Sequence, residues 1–122
     1  MYYKTTQDYL EGQWFQLSTV DDVRNEPATG AVVALDPATG NTKWRFEMVH
    51  SPSGGMLATA GGLVFTGDGY GYLIALDART GKPVWRFQAG GSVVAPPVSY
   101  AIDGKQYIAV AAGSTVMAFA VR

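Results

Sequence analysis

A repeat with a period of 41 residues constrains the fold of this chain more than any other sequence feature. Residues 30–47 and residues 71–88 align without a gap, and nine of the eighteen positions are identical. The identical positions include an aspartate, a tryptophan and two glycines, which chance similarity in a biased composition would not keep in register. Repeats of this period, with four short strands each, are typical of β-propeller blades.

Each copy of the repeat predicts a hairpin of two strands. The first strands, residues 32–35 and 73–76, are apolar at every position, which is typical of strands covered on both faces. The motif Asp-x-x-Thr-Gly follows each of them and predicts a turn, in which the Asp accepts hydrogen bonds from nearby backbone N–H groups. The second strands, residues 43–46 and 84–87, alternate in polarity and are expected to be more exposed outer strands.

Further strand patterns divide the chain into blades. Additional strands are predicted at residues 56–60, 63–66, 93–100, 107–111 and 115–121. The predicted units are an irregular lead-in that ends a preceding blade (1–29) and a propeller region (30–122), which comprises a half blade (30–47), a full blade (55–88) and an incomplete last blade without its outer strand (92–122).

The predicted fold class is all-β, a partial β-propeller of about two and a half four-stranded antiparallel blades. Propellers close with roughly four to eight blades. We therefore expect this chain to be the C-terminal end of a longer protein, whose remaining blades are its partners. An open stack exposes apolar faces and strand edges, so the isolated chain is expected to self-associate or to remain poorly folded.

Composition and charge exclude several classes of function. The 122 residues carry a net charge of −1, and the nine basic residues are scattered, so no nucleic-acid partner is expected. The chain contains no cysteine, which excludes disulfides and thiolate metal sites. Its first residues lack the apolar core of a signal peptide. No apolar run approaches the roughly 18 residues that span a bilayer.

The spacing Ala-x-Asp-x3-Gly-x3-Trp occurs in both copies of the repeat, at residues 34–44 and 75–85. It resembles the tryptophan-docking motif of the pyrroloquinoline quinone (PQQ) dehydrogenases, which are eight-bladed propellers. The resemblance gives Trp44 and Trp85 a structural role. Each indole ring would stack on a glycine peptide of the next blade, and its N–H would donate to a backbone carbonyl there.

Residues 54–65, 94–100 and 103–107 extend the resemblance to late-blade sequences of quinoprotein alcohol dehydrogenases. This resemblance implies oxidation of alcohols to aldehydes in the periplasm, with PQQ at the ring centre, a Ca²⁺ or lanthanide ion as Lewis acid, an Asp as base and a cytochrome as electron acceptor. The metal ligands, the base and a disulfide of adjacent cysteines belong to earlier blades in that family. None has a counterpart here, so the isolated chain is expected to be inactive, with no catalytic residue and no metal ligand.

Ser53, Gly54 and Gly55 are the candidate cofactor-binding residues. In the family, the backbone of this stretch nears PQQ at the ring centre, and glycine permits such a close approach. The Trp or Asn that usually precedes the two glycines is absent here. Glycines that only form a tight turn are the alternative.

A second class of function stays open, a non-catalytic PQQ-like propeller module for protein binding, as in the outer-membrane assembly lipoproteins. Residues 59–65 and 103–107 resemble the dehydrogenases more closely than these scaffolds. His50 is the only histidine and is expected to pack in a loop or at the surface, because alone it forms neither a histidine metal site nor a dyad. Residues 67–71 lack the G-x-G-x-x-G spacing and predict a hairpin turn.

Overall fold

Eleven strands and no helix make up the part of the chain that the structure describes. The computed structural model describes residues 2–4, 8–13, 18–20, 29–50 and 52–120. In chain order the strands are β1 (Tyr2–Lys4), β2 (Ser18–Val20), β3 (Gly30–Leu35), β4 (Thr42–Met48), β5 (Pro52–Ala58), β6 (Leu63–Asp68), β7 (Tyr72–Asp77), β8 (Pro83–Gln88), β9 (Val98–Ile102), β10 (Lys105–Ala112) and β11 (Thr115–Ala120). These ranges accordingly hold no apolar helix of membrane-spanning length.

The strands form four antiparallel sheets. β1 pairs with β2 and β3 pairs with β4. β5, β6, β7 and β8 form a four-stranded sheet in chain order, and β9, β10 and β11 form a three-stranded sheet with β10 at its centre. The prediction of an all-β chain built as a partial propeller is confirmed. The finer division into blades remains an interpretation of these sheets.

The four-stranded sheet lies between two other sheets, because β7 is buried on both faces. Ile74 and Leu76 pack with Val32 of the β3–β4 sheet. The alternate residues Leu73 and Ala75 belong to buried clusters that include β10 of the three-stranded sheet. The absence of polarity alternation over residues 73–76 therefore has the predicted cause, since apolar neighbours cover both sides of the strand.

The first copy of the same run is covered on one face only. Val32 is 3% exposed, whereas Val33 and Leu35 are 36% and 56% exposed. Among the described strands, no sheet lies against the second face of β3. The expectation of cover on both faces is therefore met in the second copy of the repeat and not in the first.

β5 begins at Pro52, four residues before the predicted strand. Pro52 and Met56 pair with residues of β6 that are only two positions apart, so residues 53–55 stand opposite the single residue Gly67 as a bulge. Pro and Gly favour loops in sequence-based prediction. A proline is nevertheless tolerated at the first position of an edge strand, and bulges favour glycine.

β9 begins at Val98, so the first half of the strand predicted over residues 93–100 is wrong. The preceding segment contacts the four-stranded sheet instead. The Val93 N–H donates to the carbonyl oxygen of Asp68 at 2.9 Å, and the Val93 side chain is fully buried against Gly67. Two prolines directly before β9 lack the N–H groups that a strand ladder requires.

The turn between β6 and β7 is the hairpin turn predicted for residues 67–71. Asp68 is buried, and its Oδ1 accepts hydrogen bonds from the N–H groups of Tyr70 at 3.0 Å and Tyr72 at 2.9 Å. Gly71 has a φ of 90°, which favours glycine.

The predicted lead-in, residues 1–29, is described only in part. β1 and β2 pair across it, and residues 8–13 contain no strand. The connection expected over residues 21–28 lies outside the described residues.

Candidate functional site

The Asp of each repeat acts as a turn residue, as predicted. Asp36 Oδ1 accepts a hydrogen bond from the Ala38 N–H at 2.9 Å. Asp77 Oδ1 accepts from the N–H groups of Arg79 and Thr80, both at 2.9 Å, and from the Thr80 hydroxyl at 3.1 Å. The hydrogen bonds from Thr80, first from its backbone and then from its side chain, lower the pKa of Asp77. Both carboxylates thus have a structural role, because each accepts hydrogen bonds within its own turn.

Trp44 joins the β3–β4 sheet to the turn between β7 and β8. Its indole N–H donates to the carbonyl oxygen of Ala78 at 2.8 Å. Its ring lies on Gly81, because a Cβ at Gly81 would stand 2.5 Å from Trp44 Cε3. In the first copy of the motif, the tryptophan therefore lies on a glycine peptide of the adjacent sheet, and its N–H donates to a carbonyl there. Its assignment as a docking tryptophan stays a prediction.

Trp85, in the second copy, has a different environment. It is 39% exposed, and its indole N–H makes no hydrogen bond to a described residue. Its ring stacks with Phe87 at 6.0 Å between centroids and meets the edge of Phe119 at 5.3 Å. A groove of about 680 Å³ lies beside Trp85 and Phe119, between the four-stranded sheet and the three-stranded sheet. The sequence did not single out Phe119, whose role depends on the packing of two sheets.

The predicted cofactor-binding residues lie in the bulge of β5. Gly54 is half-buried and Gly55 is exposed, and the side chain of Ser53 lies outside the described part of the chain. A Cβ at Gly54 would stand 3.0 Å from the carbonyl oxygen of Val93, and one at Gly55 would stand 2.8 Å from Pro96 Cβ. The close approach that these glycines permit is therefore made to the segment that precedes β9.

This geometry defines how the bulge would fit a cofactor. Protein atoms occupy the Cβ side of both glycines, so a ligand would contact the exposed backbone of Gly55 and the residues beside it. Thr66 of β6 is fully buried, and its hydroxyl has no hydrogen-bond partner in the described ranges. It is too enclosed to meet a ligand of the size of a quinone. The bulge thus fits a backbone contact, and the assignment of Ser53, Gly54 and Gly55 to a cofactor stays a prediction.

No cluster of three acidic or histidine side chains that would hold a metal ion occurs within the described residues. His50 stacks on Tyr70 with 3.8 Å between ring centroids, so it packs beside the β6–β7 turn. On the outer strands, Arg45 pairs with Glu47, and the Arg86 guanidinium lies 4.6 Å from the centroid of Tyr72. Each arginine thus has a partner for its charge at the surface, a carboxylate for Arg45 and an aromatic ring for Arg86.

A protein-family model, PQQ_2, described as outer membrane protein assembly factor BamB, matches residues 28–122. The curated relatives include lupanine 17-hydroxylase [cytochrome c] of a Pseudomonas species, 48% identical over 85 residues, which are 70% of this chain and 12% of that protein. Quinoprotein alcohol dehydrogenase PedE of Pseudomonas putida is 43% identical over 112 residues, which are 91% of this chain and 17% of that protein.

The solved structures similar to this chain include the same two classes of protein, a quinoprotein dehydrogenase and BamB. Quinohemoprotein alcohol dehydrogenase from Comamonas testosteroni aligns with a TM-score of 0.67 and 36% identity, over 82% of this chain and 15% of that chain. BamB from Moraxella catarrhalis aligns with a TM-score of 0.62 and 28% identity, over 76% of this chain and 28% of that chain. The chain therefore spans less than a fifth of the length of the curated relatives it matches.

Proposed function

Because the chain belongs to the PQQ_2 family, we propose that it forms consecutive blades in the late part of a PQQ-dependent alcohol dehydrogenase. The observation that carries the proposal is 43% identity to a quinoprotein alcohol dehydrogenase over 91% of this chain. The identity to the BamB structure is lower, at 28%. The whole protein would oxidise an alcohol to an aldehyde in the periplasm. It would pass the electrons to a cytochrome c, which the names of two relatives print for those proteins.

In this proposal the chain supplies backbone contacts and rigidity. PQQ, when bound, takes up the two electrons and two protons that an alcohol loses on oxidation to an aldehyde. Ser53, Gly54 and Gly55 would contact it through the bulge of β5, at the inner edge of the blade. Trp44 would act as the docking tryptophan that fixes two neighbouring blades. The Ca²⁺ or lanthanide ion and its ligands would be held by other blades.

A chimera tests this function. Residues 30–120 of this chain replace the matching segment of PedE from Pseudomonas putida, and PQQ-dependent alcohol oxidation is measured with a dye acceptor. We expect activity within tenfold of the parent, because the sheets and the tryptophan contact would be preserved. A chimera that folds but neither retains PQQ nor oxidises alcohol would contradict the proposal. The isolated 122-residue chain, supplied with PQQ and Ca²⁺, is expected to show no turnover.

The cofactor contact has its own test in the same chimera. Ser53→Arg places a long charged side chain in the bulge, and we expect at least a fivefold loss of PQQ content, measured by absorbance of the released cofactor. Ser114→Arg, in the exposed β10–β11 turn, is the matched control and should leave the PQQ content unchanged. Equal PQQ content in both variants would exclude the bulge as the contact.

A second candidate function is assembly of outer-membrane proteins by a non-catalytic propeller. The description of the matching family model and the BamB structure favour it. The same residues 30–120 grafted into BamB would then restore outer-membrane protein assembly in cells that lack BamB, while the PedE chimera would stay inactive.

A further inference from the structure

The arginines at equivalent positions of the two outer strands have different partners. In β4, Arg45 pairs with the carboxylate of Glu47, two residues further along the strand. In β8, the residue equivalent to Glu47 is Gln88, a neutral amide. The Gln88 amide donates to the Tyr70 carbonyl oxygen and accepts from the Gly90 N–H. The second copy of the repeat therefore keeps the arginine and replaces its carboxylate partner.

Arg86, the arginine of the second copy, contacts an aromatic ring. Its guanidinium carbon lies 4.6 Å from the ring centroid of Tyr72, and within the described residues Arg86 takes part in no ion pair. The ring contacts the face of the guanidinium, whereas the N–H donors project from its edge. The edge of Arg86 therefore remains available to a planar acceptor, and a carboxylate matches its geometry with two parallel hydrogen bonds.

Arg86 lines a groove between the β3–β4 sheet and the four-stranded sheet. The groove has a volume of about 570 Å³, and Phe46, Ile74 and Val84 provide apolar walls. Phe46 is half-buried and Val84 is 56% exposed, so an apolar ligand would remove further apolar surface from water. Both sheets that form the groove are present in this chain and pack on each other. A groove of this volume is typical of sites for small molecules.

Two acidic residues also line the groove, and neither pairs with Arg86. Phe46 faces the groove, so the side chain of Glu47 points to the opposite face of β4, because successive residues of a strand alternate. Asp68 is 3% exposed, and its Oδ1 accepts two backbone N–H groups of its own turn. His50 stacks its ring on the same turn. Arg86 is therefore the group in the groove that is suited to bind an anion.

We propose that the groove between β4 and β8 binds a small organic acid, with its carboxylate on the edge of the Arg86 guanidinium and its aliphatic body between Phe46 and Val84. The carboxylate takes the role that Glu47 has for Arg45 in the first copy of the repeat. Charged contacts at a surface are weak alone, so apolar burial of the body must add to them. We expect an affinity in the millimolar range. This inference rests on the contrast between the two copies and does not depend on quinone chemistry.

The test is an NMR titration of the isotope-labelled 122-residue chain with hexanoate. The ionic strength is held constant, because salt screens surface charges. The Nε–Hε signal of Arg86 reports the approach of the carboxylate. Hexanamide keeps the shape of hexanoate without its charge, and acetate keeps the charge without the aliphatic body. We expect both to bind at least about fivefold more weakly than hexanoate.

Three substitutions at exposed positions separate the groove from other positive charges. Arg86→Gln is expected to weaken hexanoate binding at least about fivefold, to the level of hexanamide. Gln88→Glu restores the carboxylate of the first copy, which should occupy Arg86 and have a similar effect. Arg79→Gln, in the exposed β7–β8 turn, removes the same charge outside the groove and should change the affinity by less than about twofold.

The PedE chimera proposed above contains the whole groove. Ligand-observed NMR with hexanoate, on the chimera and on its Arg86→Gln variant, makes the outcome independent of how well the isolated chain folds. The difference between these two proteins reports the groove alone, whether or not the chimera oxidises alcohols. We expect the variant to lose most of the hexanoate signal that the chimera gains.

Four outcomes would overturn the proposal. Equal affinities for hexanoate and hexanamide would mean that the groove binds only apolar bodies. Binding that Arg86→Gln does not weaken would place the site elsewhere. Tighter binding of inorganic phosphate than of hexanoate would indicate a general anion contact. The absence of saturable hexanoate binding to both the chain and the chimera would exclude the site.

Discussion

The contact between Trp44 and Gly81 is tested by a pair of matched glycine substitutions. Gly40 and Gly81 stand at equivalent positions of the two repeats, with φ values of 74° and 71°. An alanine at either position acquires a strained left-handed backbone that costs about 1–2 kcal/mol. At Gly40 the added methyl group meets no atom within 4 Å, whereas at Gly81 it would stand 2.5 Å from the indole ring. The difference between the two substitutions isolates the ring contact.

The extra destabilisation in Gly81→Ala follows from what the displaced indole loses. The hydrogen bond from Trp44 to Ala78 contributes about 1 kcal/mol, and partial loss of ring packing adds about 1 kcal/mol more. We therefore expect Gly81→Ala to lower the free energy of unfolding by about 2 kcal/mol more than Gly40→Ala. Urea denaturation followed by circular dichroism measures both values. A difference below about 0.5 kcal/mol would refute the reasoning, because the contact between the Trp44 ring and Gly81 would then contribute little to the free energy of unfolding.

Three further predictions address other contacts. Trp44→Phe should cost about 1–2 kcal/mol in urea denaturation, because it leaves a carbonyl without its donor, whereas Trp85→Phe should cost less than about 0.5 kcal/mol; equal costs would contradict the assigned difference. The folded state lowers the pKa of Asp77, so its charge stabilises the protein above the unfolded pKa of about 3.9 and ceases to do so as the pH falls through the folded value. The stability difference between the wild type and Asp77→Asn should shrink over that acid range, and a constant difference would contradict it. Gly67→Ala should cost about 2 kcal/mol through overlap with Val93, and the double variant Gly67→Ala with Val93→Ala should cost less than the sum of the single variants in a double-mutant cycle.

Much of the fold follows from local sequence signals. The Asp-x-x-Thr-Gly turns, the hairpins around them and the glycine-rich turn at Asp68 depend on residues close in the chain, and the structure places them as expected. The contact of Trp44 was also predictable, since a repeated motif at fixed spacing implies a repeated contact between neighbouring units.

Other contacts between sheets could not be predicted from the sequence, because they depend on residues far apart in the chain that no repeated motif marks. The valine run before β9 has strand propensity, yet Val93 is held by Asp68 and Gly67 of another sheet. Gly54 and Gly55 were assigned to a cofactor on the ground that glycine permits close approach. The close approach is present, but its partner includes the backbone of Val93. The sequence thus predicts that small residues are required at positions 54 and 55. Only the packing in the structure identifies the atoms that approach them.

The contrast between β4 and β8 sets a physical limit on what a pattern of apolar residues says about burial. Both strands carry Trp-Arg-Phe, yet Phe46 is half-buried and Phe87 is exposed. The burial of an outer-strand aromatic residue depends on whether the next hairpin supplies a partner strand, and no residue of the outer strand encodes that. A repeat therefore predicts which apolar side chains need a neighbouring sheet to bury them, and the structure shows which of them are buried. The side chains in the first group but not in the second are Trp85 and Phe87, which keep 39% and 38% of their accessible surface. The burial of these two residues is therefore set by the neighbouring sheet and not by the sequence of their own strand.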